Sequence, residues 1–287
     1  MKRFLLLLTL TLIAVSSQAQ LLWKVSGNGL SKDSYILGTR HDIQASFLNM
    51  IPGMDTALEN CEMFVAETIG ESSNSDEFKS SLFAASDSTL DKLFSPDDYR
   101  FVMEKLGECF GLKKDLTSTE IASLKPFALI ALMTSPLTID FYASTGEVNM
   151  DSKLEERAAD KGIPMMCLET HEFQQKLLTD EYMTTMNLPL TTQAMVLLEY
   201  CKNLDDNVES FLLHYGAYIS QRLEWYERFN YDNDESVIAR NKDWIPKLLP
   251  AMKEKSCLVA VGMAHLAGDE GLLQLLRKKG YTVEPMK

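Results

Sequence analysis

Several familiar chemistries leave no motif in this sequence. It has no Gly-x-Ser-x-Gly elbow, no His-Glu-x-x-His helix, no phosphate-binding loop and no dinucleotide fingerprint. These gaps remove the usual sequence arguments for a serine hydrolase, a zincin, a nucleotide hydrolase or a Rossmann dehydrogenase. Cysteine is sparse and unpatterned: Cys61, Cys109, Cys167, Cys201 and Cys257 are odd in number, with no Cys-x-x-Cys. At least one is unpaired in a monomer, and a disulfide scaffold is excluded. Cys167 and Cys257 fall in apolar, strand-like runs, where a buried free thiol is expected.

Positive charge is short as well, with 28 Lys and Arg against 41 Asp and Glu and a net charge of −13. No basic stripe interrupts the excess, so nucleic acid and anionic membrane surfaces are excluded as partners. The apolar stretch Phe4 to Val15 is twelve residues long, short of the about 20 that a membrane helix needs. It follows Lys2 and Arg3 and precedes Ser17-Gln18-Ala19, which is the pattern of a secretory signal peptide. The expectation is a signal peptide over residues 1–19, cleavage before Gln20, and an exported protein, periplasmic or secreted, with no membrane span after cleavage. Residues 20–287 then suffice for one large domain or two intimately packed lobes.

Histidine is rare too, and this scarcity is informative. Of four histidines, two stand in one context, Gly38-Thr39-Arg40-His41 and Gly262-Met263-Ala264-His265. Each follows an apolar run that reads as a buried strand, Tyr35 to Leu37 and Cys257 to Val261. Open α/β sheets build their sites just beyond the carboxyl ends of their strands, so both histidines are well placed for chemistry. The glycines offer turn freedom or close approach to a ligand or another segment. His171 and His214 have no such pattern and read as structural.

The remaining pattern is α/β. Leu21 to Ser26 and Ser34 to Gly38 flank Gly27-Asn28-Gly29, which predicts an opening hairpin. A short helix ending near Asn60 follows Ile51-Pro52-Gly53, and residues 62–67 read as a strand ending at Glu67. Residues 71–88 read as a loop or frayed helix. Ser95-Pro96-Asp97-Asp98 starts a helix, and Ile121 to Leu137 is apolar and helical, with Pro126 as a start or kink. Asp151 to Lys161 is an amphipathic helix closed by Gly162, and Ile163 to Leu168 is a strand ending at Glu169-Thr170. Residues 191–229 and 234–254 are helical. The close reads as strand, loop with His265, helix and strand, a βαβ unit whose crossover should be right-handed. The expected fold is a central sheet with βαβ units and a largely helical insert, roughly residues 95–150 and 185–255.

Leu22-Trp23-Lys24-Val25, Tyr35-Ile-Leu-Gly-Thr-x-His41, the Glu67 strand, Gly162-Ile-Pro, Leu168-Glu169-Thr170, Gln174-Gln175, Arg240-Asn241 and Val261-Gly-x-x-His265-Leu-x-Gly268 together resemble the TraB/GumN family. The resemblance spans essentially all of residues 20–287. It implies a fold like that of the Tiki proteases and, more distantly, the erythromycin esterases and haem-binding ChaN-like proteins. The family pattern is two Gly-x-x-His motifs plus a glutamate, matched here by His41, His265 and Glu67, with Glu169 the rival carboxylate. Arg40 departs from the apolar residue or His usual at its place, and adds a cation beside the site.

Two imidazoles and a carboxylate at three strand ends suit a divalent ion (Mn, Co or Zn) with open positions for water and substrate. Such an ion would lower the pKa of water and polarise a carbonyl. Expected site residues are His41, His265 and Glu67 as catalytic groups and metal ligands. Arg40, Glu169, Arg240 and Asn241 are expected to bind substrate or hold the glutamates. The function expected is an exported, metal-dependent peptidase acting on a peptide or small extracellular protein. Two alternatives stay open: a metal-independent esterase-like hydrolase using His41 as base with Glu67, or a non-catalytic binder of peptide or haem.

Overall fold

Gly27, Asn28 and Gly29 all take left-handed backbone angles, φ 80°, 46° and 80°, which two glycines and an asparagine reach at little cost. They reverse the chain between β1 (Leu22–Ser26) and β2 (Ser34–Thr39). The strands pair antiparallel with Leu22 opposite Leu37 and Val25 opposite Ser34, the hairpin predicted from sequence. The computed structural model describes residues 21–70, 80–110, 118–133, 147–174, 176–177, 187–223 and 234–286. The expected signal peptide, Gln175 and the first half of the 71–88 segment lie outside them.

Four more strands complete the sheet: β3 (Met63–Ala66), β4 (Met165–Cys167), β5 (Cys257–Gly262) and β6 (Thr282–Pro285). Their order is β4-β3-β5-β2-β1-β6. β4, β3, β5 and β2 run parallel, and β1 is antiparallel to both its neighbours. β2 is buried throughout and β5 almost so, as their unbroken apolar sequences require of central parallel strands. β6 alternates exposed and buried residues at one edge and ends in Pro285, which discourages further pairing. The closing strand–helix–strand unit is present, but its two strands are not neighbours. β6 runs parallel to β5 with β2 and β1 between them, because β1 already holds the antiparallel edge that β6 joins.

The principal helices are α1 (Met54–Asn60), α2 (Pro96–Phe110), α3 (Pro126–Met133), α4 (Met150–Asp160), α5 (Leu190–Lys202), α6 (Leu204–Ile219), α7 (Glu235–Glu254) and α8 (Leu272–Lys278). Their starts follow local chemistry. Ser95 Oγ accepts the Asp98 N–H ahead of α2, Asn149 caps α4 through the Ser152 N–H, and Asp234 caps α7 through two N–H groups. Pro126 opens a helix rather than kinking one.

Two apolar cores result. The larger gathers the sheet with α1, α4, α7 and α8, including Ile36, Phe64, Leu154, Trp244, Val259 and Leu276. The smaller joins α2, α3 and α5 through Val102, Leu106, Leu129, Leu197 and Cys201. Each fully buried aliphatic side chain contributes about 1.5–3 kcal/mol, so each cluster stabilises its own set of elements. Within the 185–255 stretch, Trp244, Ile245, Leu248 and Met252 of α7 share the core of the sheet. That assignment places α7 against the strand ends. Among the described residues no helix is long and apolar enough to cross a membrane.

Candidate active site

The four parallel strands finish on one edge of the sheet, and each hands on to an expected site residue. β2 leads to Arg40 and His41, β3 to Glu67, β4 to Glu169 and β5 to His265. Gly38 lies opposite Val261 and Thr39 opposite Gly262, so the two Gly-x-x-His motifs run side by side, one residue out of step. Their glycines serve contact, not turning: neither has a left-handed φ. A Cβ on Gly38 would stand 2.4 Å from Met263 Sδ and 3.3 Å from Met263 Cα, and one on Gly262 3.3 Å from Glu67 Oε1. The first glycine lets the second motif pack on β2. The second lets Glu67 Oε1 accept the Gly262 N–H at 2.8 Å.

Glu67 is held on every side. Its Oε2 accepts Gln174 Nε2 at 3.0 Å and Arg240 Nη2 at 2.5 Å. Burial favours the neutral carboxyl, but the neighbouring His265 and Arg240 and the Gly262 N–H outweigh it and keep Glu67 below the usual carboxylate range. Glu169 is the more buried carboxylate, its side chain 2% exposed. It accepts Arg240 Nε at 2.7 Å, Arg240 Nη2 at 2.9 Å and Trp244 Nε1 at 2.8 Å. The two glutamates are thus not rivals for one place: a single guanidinium joins them, its fork bidentate on Glu169.

His265 is 3% exposed and lies against Trp244, ring centroids 4.2 Å apart. Its Nδ1 meets Asn241 Oδ1 at 2.7 Å, and its Nε2 stands 3.8 Å from Glu67 Oε1. Burial lowers its pKa to about 4, so the ring is neutral at physiological pH. α7 supplies Arg240, Asn241 and Trp244 within one helical turn, which explains how one element organises both glutamates and the histidine.

A cleft of about 620 Å³ opens at this edge, with His41, Glu67, Arg240, Asp151, Glu155 and Gln174 in its wall. His41 is the exposed member. Its Nδ1 lies 3.0 Å from Asp151 Oδ2, with the side chain 76% accessible. The hydrogen bond to Asp151 outweighs desolvation and raises its pKa to about 9. Paired with Asp151, His41 therefore favours the charged form at neutral pH. Arg40 does not hold a strand-end glutamate, one of the two roles expected of it. It grips Asp42 through Nε and through Nη2, the latter at 2.8 Å, and lies over the rings of Phe211 and Tyr215 at 5.6 and 5.9 Å. It meets neither strand-end glutamate, because Asp42 stands closer along the chain. His171 and His214 bond the carbonyls of Ile69 and Ser210.

The donor set fits an ion in part. His265 Nε2 and Glu67 Oε1, 3.8 Å apart, can share one at ordinary bond lengths of about 2.1 Å. His41, protonated and drawn to Asp151, does not join them as arranged. Among the described residues no group of three or more His, Cys, Asp or Glu is poised to hold a metal. Sequence reasoning missed Asp151, Glu155 and Trp244. Nothing local marks them, since Asp151 and Glu155 read as ordinary residues of an amphipathic helix and Trp244 as core.

Fold and site together define a mixed α/β protein with a buried, charge-clamped acid–imidazole pair at the carboxyl edge of its parallel strands. The model of the TraB/PrgY/gumN family matches residues 21–285, and the chain belongs to that family. No curated protein and no solved structure matches it.

Proposed function

We propose that this protein is an exported hydrolase, a metal-assisted peptidase that acts on peptides or small extracellular proteins in the cleft at the strand ends. One observation carries the reading. Glu67 and His265, delivered by two separate strands, face each other beside an open cleft and are held in the ionised and neutral forms. Perturbed, convergent groups of this kind beside a concave surface mark functional sites. The two Gly-x-x-His motifs and the glutamate, which resemble the pattern of Tiki-like proteases, point the same way. Export rests on the basic start, apolar stretch and Ser-Gln-Ala of residues 1–19.

The residues divide the work. His41, a cation in the cleft wall, attracts the carbonyl or carboxylate of a bound peptide and can return a proton to a leaving group. Arg240 and Gln174 hold Glu67 so that Oε1 keeps a lone pair for water or an ion. A carboxylate held below its usual range is a weak base, so hydrolysis at neutral pH needs a stronger electrophile than His41. A divalent ion (Mn, Co or Zn) held by Glu67 and His265 would supply that Lewis acidity, and His41 would join them, in place of its acid role, only after losing its proton and leaving Asp151.

Elemental analysis of the purified protein, with a peptide-library cleavage screen run with and without chelator, tests this reading. Cleavage should depend on the ion and vanish in Glu67→Gln and His265→Ala. If Glu67 is a ligand, metal content falls with activity in Glu67→Gln. If it is only the base, the metal stays. A fully active, chelator-resistant His265→Ala protein overturns the proposal, and peptide or haem binding without cleavage would replace it.

A further inference from the structure

We infer that Asn241 is a positioning residue: it holds the imidazole of His265 in the tautomer protonated on Nδ1, leaving a bare Nε2 turned toward Glu67. Its catalytic consequence rests on the site proposed above, whereas the tautomer follows from hydrogen bonding alone.

An amide side chain accepts only through its oxygen and donates only through its nitrogen. Asn241 is buried, 1% exposed, and one end of its amide lies 3.2 Å from the His265 carbonyl and 3.0 Å from the Glu270 carbonyl. Both are pure acceptors, so this end must be the NH₂ group, whose two protons they take. The flipped amide would set an oxygen against two carbonyl oxygens and leave three buried acceptors without donors, a costly arrangement. The other end, Oδ1, therefore faces His265 Nδ1 at 2.7 Å and can only accept. Nδ1 must carry the hydrogen.

A neutral ring has one such hydrogen, and so Nε2 has a lone pair. On that side Nε2 and Glu67 Oε1 stand 3.8 Å apart, beyond hydrogen-bond reach, so no hydrogen bond to Glu67 competes for the proton that Asn241 fixes on Nδ1. Trp244, tilted 35° to the ring with centroids 4.2 Å apart, packs against it while Asn241 holds its proton.

The consequence concerns how the pair works. Glu67 takes its donors from Arg240, Gln174 and Gly262 and none from His265. Two lone pairs, one neutral and one anionic, are left facing a common gap, ready for a protic or cationic group. With the proton on Nε2 instead, histidine and glutamate would satisfy each other and the gap would be lost.

Nitrogen-15 NMR of the histidine-labelled protein at neutral pH, with His265 assigned through His265→Gln, reads the tautomer directly. Wild type should show a protonated Nδ1 and a pyridine-type Nε2. In Asn241→Leu, which offers no acceptor at Nδ1, the proton should move to Nε2, where Glu67 accepts it. A protonated Nε2 in wild type overturns the inference even if Asn241→Leu fails to fold, and so does an unchanged tautomer in a folded Asn241→Leu. A protein that cleaves no peptide yet shows the bare Nε2 would sink the proposed function and leave this assignment standing.

Discussion

Replacing Arg240 with Met removes the guanidinium that Glu67 and Glu169 share. The side chains are 16%, 13% and 2% exposed, and three charge-assisted hydrogen bonds are lost at once. Breaking a buried ion pair from one side costs about 3–5 kcal/mol, because the partner charge stays behind unpaired. In a chain of this size that corresponds to a fall of about 10 °C in melting temperature. The deficit should depend on pH with a definite sign. Without Arg240, burial raises the carboxyl pKa values in the folded state above those of the unfolded chain. Protonation then favours the fold, so the deficit should shrink as pH falls from 7 toward 5. Thermal melts of wild type and Arg240→Met at both pH values test this. A deficit below about 1 kcal/mol at pH 7 would refute the clamp as described, as would one that grows on acidification.

Further outcomes follow from single contacts. His265 has its folded pKa depressed from 6.5 to about 4, so the stability it contributes is present above pH 6.5 and lost as pH falls through 4. Urea unfolding at pH 7 and 4.5 should show wild type losing up to about 3 kcal/mol more than His265→Gln. Gly38→Ala, whose Cβ would meet Met263 Sδ at 2.4 Å, should destabilise by about 1–3 kcal/mol through overpacking, and a melting curve that matched wild type would contradict the close approach of the two motifs. Arg40→Ala should lower stability by about 1 kcal/mol, through the lost Asp42 pair and ring contacts, and leave substrate preference alone; altered preference with unchanged melting would restore Arg40 to the site. Mass analysis of the protein from its native host should place the mature N-terminus at Gln20, and a full-length cytosolic chain would end the export proposal.

Much of this molecule could be read from local patterns. Gly27-Asn28-Gly29 turns the chain whatever surrounds it, Ser95-Pro96 and Gly162 mark helix ends by their own chemistry, and unbroken apolar runs such as Cys257 to Val261 can only be buried strands. The position of a histidine or glutamate just beyond such a run is likewise a property of the sequence, and together with the family resemblance it named His41, Glu67, Glu169 and His265 as candidates. What each of them touches was settled by tertiary structure. Strand order brought β3 and β5 together and put Glu67 on the Gly262 N–H, a contact across 195 residues. The packing of α7 on the sheet placed Arg240 between two glutamates and Asn241 under His265, and α4 carried Asp151 to His41 from 110 residues away. Charge state followed: the two motif histidines are alike in sequence, yet one is a cation in an open cleft beside a carboxylate and the other a neutral ring buried against Trp244. Burial and neighbouring charge set a pKa, and both are properties of the folded surroundings that no four-residue motif contains.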